Sequence, residues 1–190
     1  MSSPHVTFLI LVNGSWIEVD ALIKNPKPLL EYYAQEKNCC AHRGGFLIEA
    51  DGKPWNDRTT IDEFDMTEEW LPALAAALRD PSEKAIDARV WEESSLLIKR
   101  IGDTIELEDK ALADFKLCQK ISFPIEKFAV EMIREAKKAS QLMKTLDAIP
   151  DSDYVAQPQD WAESYRSLPD WHSLVGNLER ALDEYRAKSL

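Results

Sequence analysis

The sequence predicts an α+β fold: an antiparallel sheet built from hairpins and packed against a long amphipathic helix, with C-terminal helices. Three observations carry that reading. Asn13-Gly14 separates two apolar, β-branched runs, and both central residues of such a turn must take positive φ, which Asn and Gly do at least cost. Gly102-Asp103 separates two further runs, in the second of which Ile105 and Leu107 alternate with Glu106 and Glu108, the pattern of a sheet with one wet face. From Ile125 to Leu146 apolar residues recur at i, i+3 and i+4, the period of a helix with one buried stripe.

The elements follow in chain order. Residues 6–12 and 15–20 form the first hairpin. Asn25-Pro26 opens a short helix with Leu29, Leu30, Tyr33 and Ala34 on one face, ending near Asn38. Gly44-Gly45 lead into a strand at Phe46–Glu49, and Asp51-Gly52 is a turn. Residues 56–69, rich in Asp, Glu and Thr, read as a loop or a weakly anchored helical turn. Thr67 is placed to cap the next helix, whose stripe is Trp70, Leu71, Leu74, Ala75 and Leu78; Pro72 fits only in a first turn. Asp80-Pro81 ends it. Strands then occupy 85–91, 96–101 and 104–108, and Phe115–Ile121 reads as a further strand or as helix. Ser122 is expected to cap the long helix, with Pro124 in its first turn.

Residues 1–149 therefore read as an α+β core domain. Residues 150–190 read as a linker and a helical appendage, with a short helix marked by Trp161 and Tyr165. A last helix is capped by Asp170 and striped by Trp171, Leu174, Val175, Leu178, Leu182 and Tyr185. Helices this short are not stable alone, so the tail must dock on the core or on a partner.

Charge narrows the function classes. The 190 residues carry a net charge of −11. Residues 51–109 hold sixteen acidic and seven basic side chains, a balance of −9, whereas residues 110–149 balance at +3. Nucleic-acid binding favours the opposite sign; an acidic surface attracts basic partners. The seven-residue apolar run at 6–12 is too short to span a bilayer and lacks the flanks of a signal peptide. Three cysteines, two of them adjacent, make a poor disulfide framework. A cytoplasmic protein with reduced thiols and no membrane partner is expected.

Standard chemistry is missing from the pattern. The six glycines form no GxGxxG and no P-loop, and there is no HExxH or GxSxG. Cys39-Cys40-x-His42 lacks the spacing and the further ligands that zinc requires. His5 and His172 lie near the ends of the chain. No catalytic residue, cofactor or metal ligand is assigned. What remains is an acidic segment, Asp57, Asp62, Glu63, Asp65, Glu68 and Glu69, bracketed by Trp55 and Trp70. Its plain reading is a solvated loop. Its functional reading is a partner-binding surface anchored by the two indoles, which Trp91, Glu92 and Glu93 extend if the sheet lies alongside.

The stretch Lys120-Ile121-Ser122-Phe123-Pro124-Ile125-Glu126-Lys127-Phe128, following a strand-rich half and opening a long helix, resembles small acidic proteins of the immunity type found in bacterial polymorphic toxin systems. That resemblance implies a non-catalytic protein-binding module that inhibits a cognate toxin by covering a basic surface. The alternatives are a secretion chaperone or adaptor, with an apolar groove and a homodimer formed through the tail, or an enzyme of unfamiliar type using the clustered carboxylates or Cys39.

Overall fold

The computed structural model describes residues 2–35, 44–55, 64–91, 94–111, 120–147 and 170–188. Its strands form two four-stranded antiparallel sheets. The first has the order β2-β1-β3-β4, built from β1 (Pro4–Val12), β2 (Ser15–Glu18), β3 (Gly44–Ala50) and β4 (Lys53–Pro54). The second runs β5-β6-β7-β8, built from β5 (Ala85–Trp91), β6 (Ser94–Ile101), β7 (Thr104–Ala111) and β8 (Lys120–Pro124). Among the described residues five helices accompany them: α1 (Val19–Lys24), α2 (Lys27–Gln35), α3 (Phe64–Arg79), α4 (Ile125–Asp147) and α5 (Trp171–Lys188).

The α+β class holds, and the turns behave as their residues dictate. Asn13 and Gly14 take φ 49 and 75, and Asp51 and Gly52 take φ 51 and 76; both pairs close two-residue hairpins. Strand β1 alternates strictly from Pro4 to Phe8, so Val6 and Phe8 are buried while His5 is exposed. Leu9, Leu47 and Trp16 make a small separate apolar cluster.

One buried cluster joins both sheets to the helices. Phe8 and Phe46 of the first sheet, Leu74 of α3, Ile105 and Phe123 of the second sheet, Phe128 of α4 and Leu178 of α5 all belong to it. Each such side chain contributes about 1.5–3 kcal/mol on burial. Helix α3 packs on β5 and β6 of one sheet, on β3 of the other, and on α5, while α4 lies along β1 and α5. Phe123 and Phe128 stack with centroids 5.3 Å apart. The stripe of α5 is buried against the body, and Asp170 caps it: the Ser173 N–H donates to Asp170 Oδ1 at 3.1 Å.

Several expectations fail for tertiary reasons. Val19 and Asp20 are helical, not extended, because α1 turns Val19 and Leu22 inward beside α4. Residues 64–69 belong to α3, the helical alternative for this segment, so Thr67 lies inside the helix and not at its N-cap position. Pro72 sits in the interior of that helix; its ring is exposed, on the side away from the buried stripe. Ser122 is a strand residue paired with Glu106, and the helix begins three residues later at Ile125, whose N–H donates to the Asp103 carbonyl at 3.0 Å. The strand expected at 115–121 is described only from Lys120, where β8 (Lys120–Pro124) begins, and residues 115–119 lie outside the described residues. The end of the second helix near Asn38, the Cys39-Cys40-x-His42 cluster, the 149–160 linker and the helix marked by Trp161 and Tyr165 lie outside the described residues.

Candidate functional site

The acidic segment is divided by the structure. Asp57, Asp62 and Glu63 lie outside the described residues, as do Glu92 and Glu93. Asp65, Glu68 and Glu69 fall in the first turn and a half of α3, where negative charge complements the partial positive charge of a helix N-terminus. Glu69 is exposed. Its neighbour Trp70 is 7% exposed and packs on Phe46, with ring centroids 5.9 Å apart. Trp70 is thus a core residue, and the expectation that it anchors a partner is corrected: consecutive helix positions point about 100° apart, so Glu69 faces water while Trp70 faces the interior. Trp55 follows β4, half-buried against the core, and its backbone N–H donates to the Ile48 carbonyl at 2.8 Å.

Helix α3 packs on β5 and β6 of the second sheet, and five residues connect α3 to β5.

Four described carboxyls, Asp51, Asp80, Asp170 and Glu184, are held below the usual range. Wherever a carboxyl pKa moves clearly among the described residues, it moves down. The backbone N–H of Ser3 lowers Asp51, and that of Ser82 lowers Asp80. The Ser173 hydroxyl and N–H lower Asp170, and the Arg79 guanidinium lowers Glu184. Hydrogen bonding to the charged form is the common cause.

A second polar assembly sits where α4 crosses β1. A cleft of about 330 Å³ opens there, lined by His5, Glu18, Asp20, Arg134, Glu135 and Lys138 among others. Strand β2 pairs with β1 only over residues 9–12, which leaves the edge of β1 unpaired before that point. Helix α4 closes it with side chains. Phe8 N–H donates to Glu135 Oε2 at 3.1 Å, Val6 N–H to Glu131 Oε2 at 3.4 Å, and Arg134 Nη2 to the Val6 carbonyl at 2.8 Å. Glu135, only 2% exposed, also accepts from Arg134 Nε at 2.9 Å and lies 2.8 Å from Lys138 Nζ, which reaches Asp20 at 2.6 Å. Burial pulls the Lys138 pKa down, but bonds to Asp20 and Glu135 outweigh it and the net direction is up. His5 faces Glu131 at 3.6 Å and Glu49 at 3.9 Å. These groups are held by one another, so the cleft reads as a tie between helix and sheet rather than a set of free acids and bases.

The sequence signalled Glu135 in a way that a list of polar positions overlooks. It falls between Met132 and Ala139 on the 3-4 spaced stripe that includes Phe128, where only a fully partnered carboxylate is tolerated. Arg100 is the equivalent on β6, two residues after inward-facing Ile98. Among the described residues no group of three His, Cys, Asp or Glu is placed to hold a metal ion, and no helix is long and apolar enough to cross a membrane. No protein-family model, no curated protein and no solved structure matches the chain.

Proposed function

We propose that this chain is a non-catalytic protein-binding module of the immunity type, inhibiting a toxin by laying an acidic surface over a basic one. The observation that carries the reading is the −9 balance of residues 51–109, of which Asp65, Glu68 and Glu69 stand at the start of α3. Fixed negative charge of this kind steers a basic partner and holds it in a salt-dependent way. Capture from native cell extract tests it. The wild-type chain retains a basic protein at about 0.1 M salt and releases it near 1 M, where the Debye length falls from about 10 Å to about 3 Å. A bait carrying Asp62→Lys, Glu63→Lys, Asp65→Lys, Glu68→Lys and Glu69→Lys retains none. The captured protein arrests growth when expressed alone and is neutralised by co-expression. Equal retention by the charge-reversed bait, or a harmless captured protein, contradicts the proposal.

A groove between α4 and α5 favours a second reading, a chaperone or adaptor. Its volume is about 500 Å³, its floor includes Ile133 and Leu182, and Val130 stands 42% exposed beside it. Under that reading Val130→Glu abolishes partner retention while the charge reversal leaves it intact.

A further inference from the structure

Five asparagines occur in the chain, at positions 13, 25, 38, 56 and 177, and only Asn13 precedes a glycine. The Asn13-Gly14 pair forms the tip of the first hairpin, and both residues are exposed. The ladder closes at Val12 opposite Ser15, so the Gly14 N–H lies outside it. A methyl group placed on Gly14 would meet no atom of residues beyond its two chain neighbours within 4 Å, so no more distant part of the chain crowds the turn. Strand β2 beyond the turn is four residues long and lies at the sheet edge, where local opening is least costly.

We infer that Asn13 is a site of spontaneous deamidation, with water as the co-reactant. The Gly14 backbone nitrogen attacks Asn13 Cγ and closes a five-membered imide. The side-chain nitrogen leaves as ammonia, carrying the proton that the attacking amide gives up. Water then opens the ring at one of its two carbonyls, giving Asp or the β-linked isoaspartate. One amide nitrogen is exchanged for one oxygen, and no electrons are transferred.

The neighbouring asparagines supply internal controls. Asn25 precedes Pro26, whose nitrogen carries no hydrogen, so the same imide cannot form. Asn177 lies within α5 ahead of buried Leu178, and its Oδ1 accepts from Arg79 Nη1 at 3.1 Å. The two products at residue 13 differ in consequence. Asp tolerates positive φ, so it keeps the turn and adds one negative charge. Isoaspartate inserts an extra backbone carbon, so the two-residue loop no longer fits the Leu11↔Trp16 register, and Trp16 is drawn away from Leu9 and Leu47.

Peptide mapping by mass spectrometry tests the inference on the folded full-length chain. Samples are held for weeks at neutral and mildly alkaline pH, beside a urea-unfolded sample and the Asn13→Asp variant as a charge marker. The expected result is a gain of one dalton confined to the peptide carrying residue 13. It develops faster in alkali, because the attacking nitrogen must lose its proton. Isoelectric focusing then shows an acidic band that co-migrates with Asn13→Asp. Residue 13 unchanged in the folded sample, whether or not the unfolded chain converts, overturns the inference. So does equal conversion at Asn25 or Asn177.

Discussion

Glu135 on α4 accepts the backbone N–H of Phe8 on β1 at 3.1 Å. The contact joins a buried helix carboxylate to a strand edge that its neighbour β2 is too short to cover. Uncovered edges invite wrong pairing, and a covering helix is one of the ways proteins prevent it. Here the cover consists of Glu131, Arg134 and Glu135, one helical turn reading out the polar groups of Val6 and Phe8.

Glu135→Ala should destabilise the protein by about 3 kcal/mol, the lower end of the cost of breaking a buried ion pair. Arg134 and Lys138 keep partial solvent access, which limits the loss. Glu135→Gln retains a carbonyl for Phe8 N–H and should cost about 1–3 kcal/mol. Urea unfolding of the two variants checks the order; an alanine variant as stable as wild type refutes the edge-cover account.

Arg100 should couple to Tyr185. Its guanidinium donates to the Leu78 carbonyl at 2.9 Å, closing the C-terminal end of α3, and stands 4.9 Å from the Tyr185 ring centroid. The Tyr185 hydroxyl in turn reaches Asp103 at 3.0 Å. Tyr185→Phe keeps the ring and should cost about 0.5–1.5 kcal/mol. A double-mutant cycle pairing Arg100→Met with Tyr185→Ala should return a coupling of about 0.5–1 kcal/mol. Strict additivity would show that the stacking contributes nothing.

Asp170 links stability to pH. Its pKa is lowered first by the Ser173 hydroxyl, so its contribution is complete above the unfolded-state value of about 4 and disappears as pH falls through the folded value. Asp170→Ala should lower the melting temperature at neutral pH, and the gap to wild type should close in acid. Melting curves across the acid range measure this; a gap that widens as pH falls reverses the sign and rejects the cap.

Trp70 and Trp171 should report a dry interior. Their indole N–H groups, and that of Trp55, are buried and meet no acceptor among the described residues. Trp70→Ala should cost about 3–5 kcal/mol, as large aromatic truncations in cores do, and difference spectra should assign it short-wavelength emission. Wild-type stability in that variant would return Trp70 to the surface.

What the sequence disclosed depended on whether local chemistry or tertiary pairing decided the element. The Asn13-Gly14 and Gly102-Asp103 turns were legible because positive φ is a local demand, and Gly14 and Gly102 meet it at φ 75 and 58. The stripes of α4 and α5 were legible because period and burial agree. Ser122 misled because a serine two residues before a proline has the look of a cap, while pairing with Glu106 holds it in β8. Helix α1 was hidden by its length of six residues, too few for a period. The acidic segment was visible as charge, but its division at Trp70 into a wet face and a core face needed the helix to start at Phe64.

The central claim is recognition through fixed negative charge at the start of α3. Its most direct test is the affinity for the captured basic partner, measured by calorimetry against salt for wild type and for the Asp62, Glu63, Asp65, Glu68 and Glu69 charge-reversed chain. Wild-type binding should be tight and weaken steadily with salt, and the variant should show no measurable binding. Equal affinities with no salt dependence would contradict the claim.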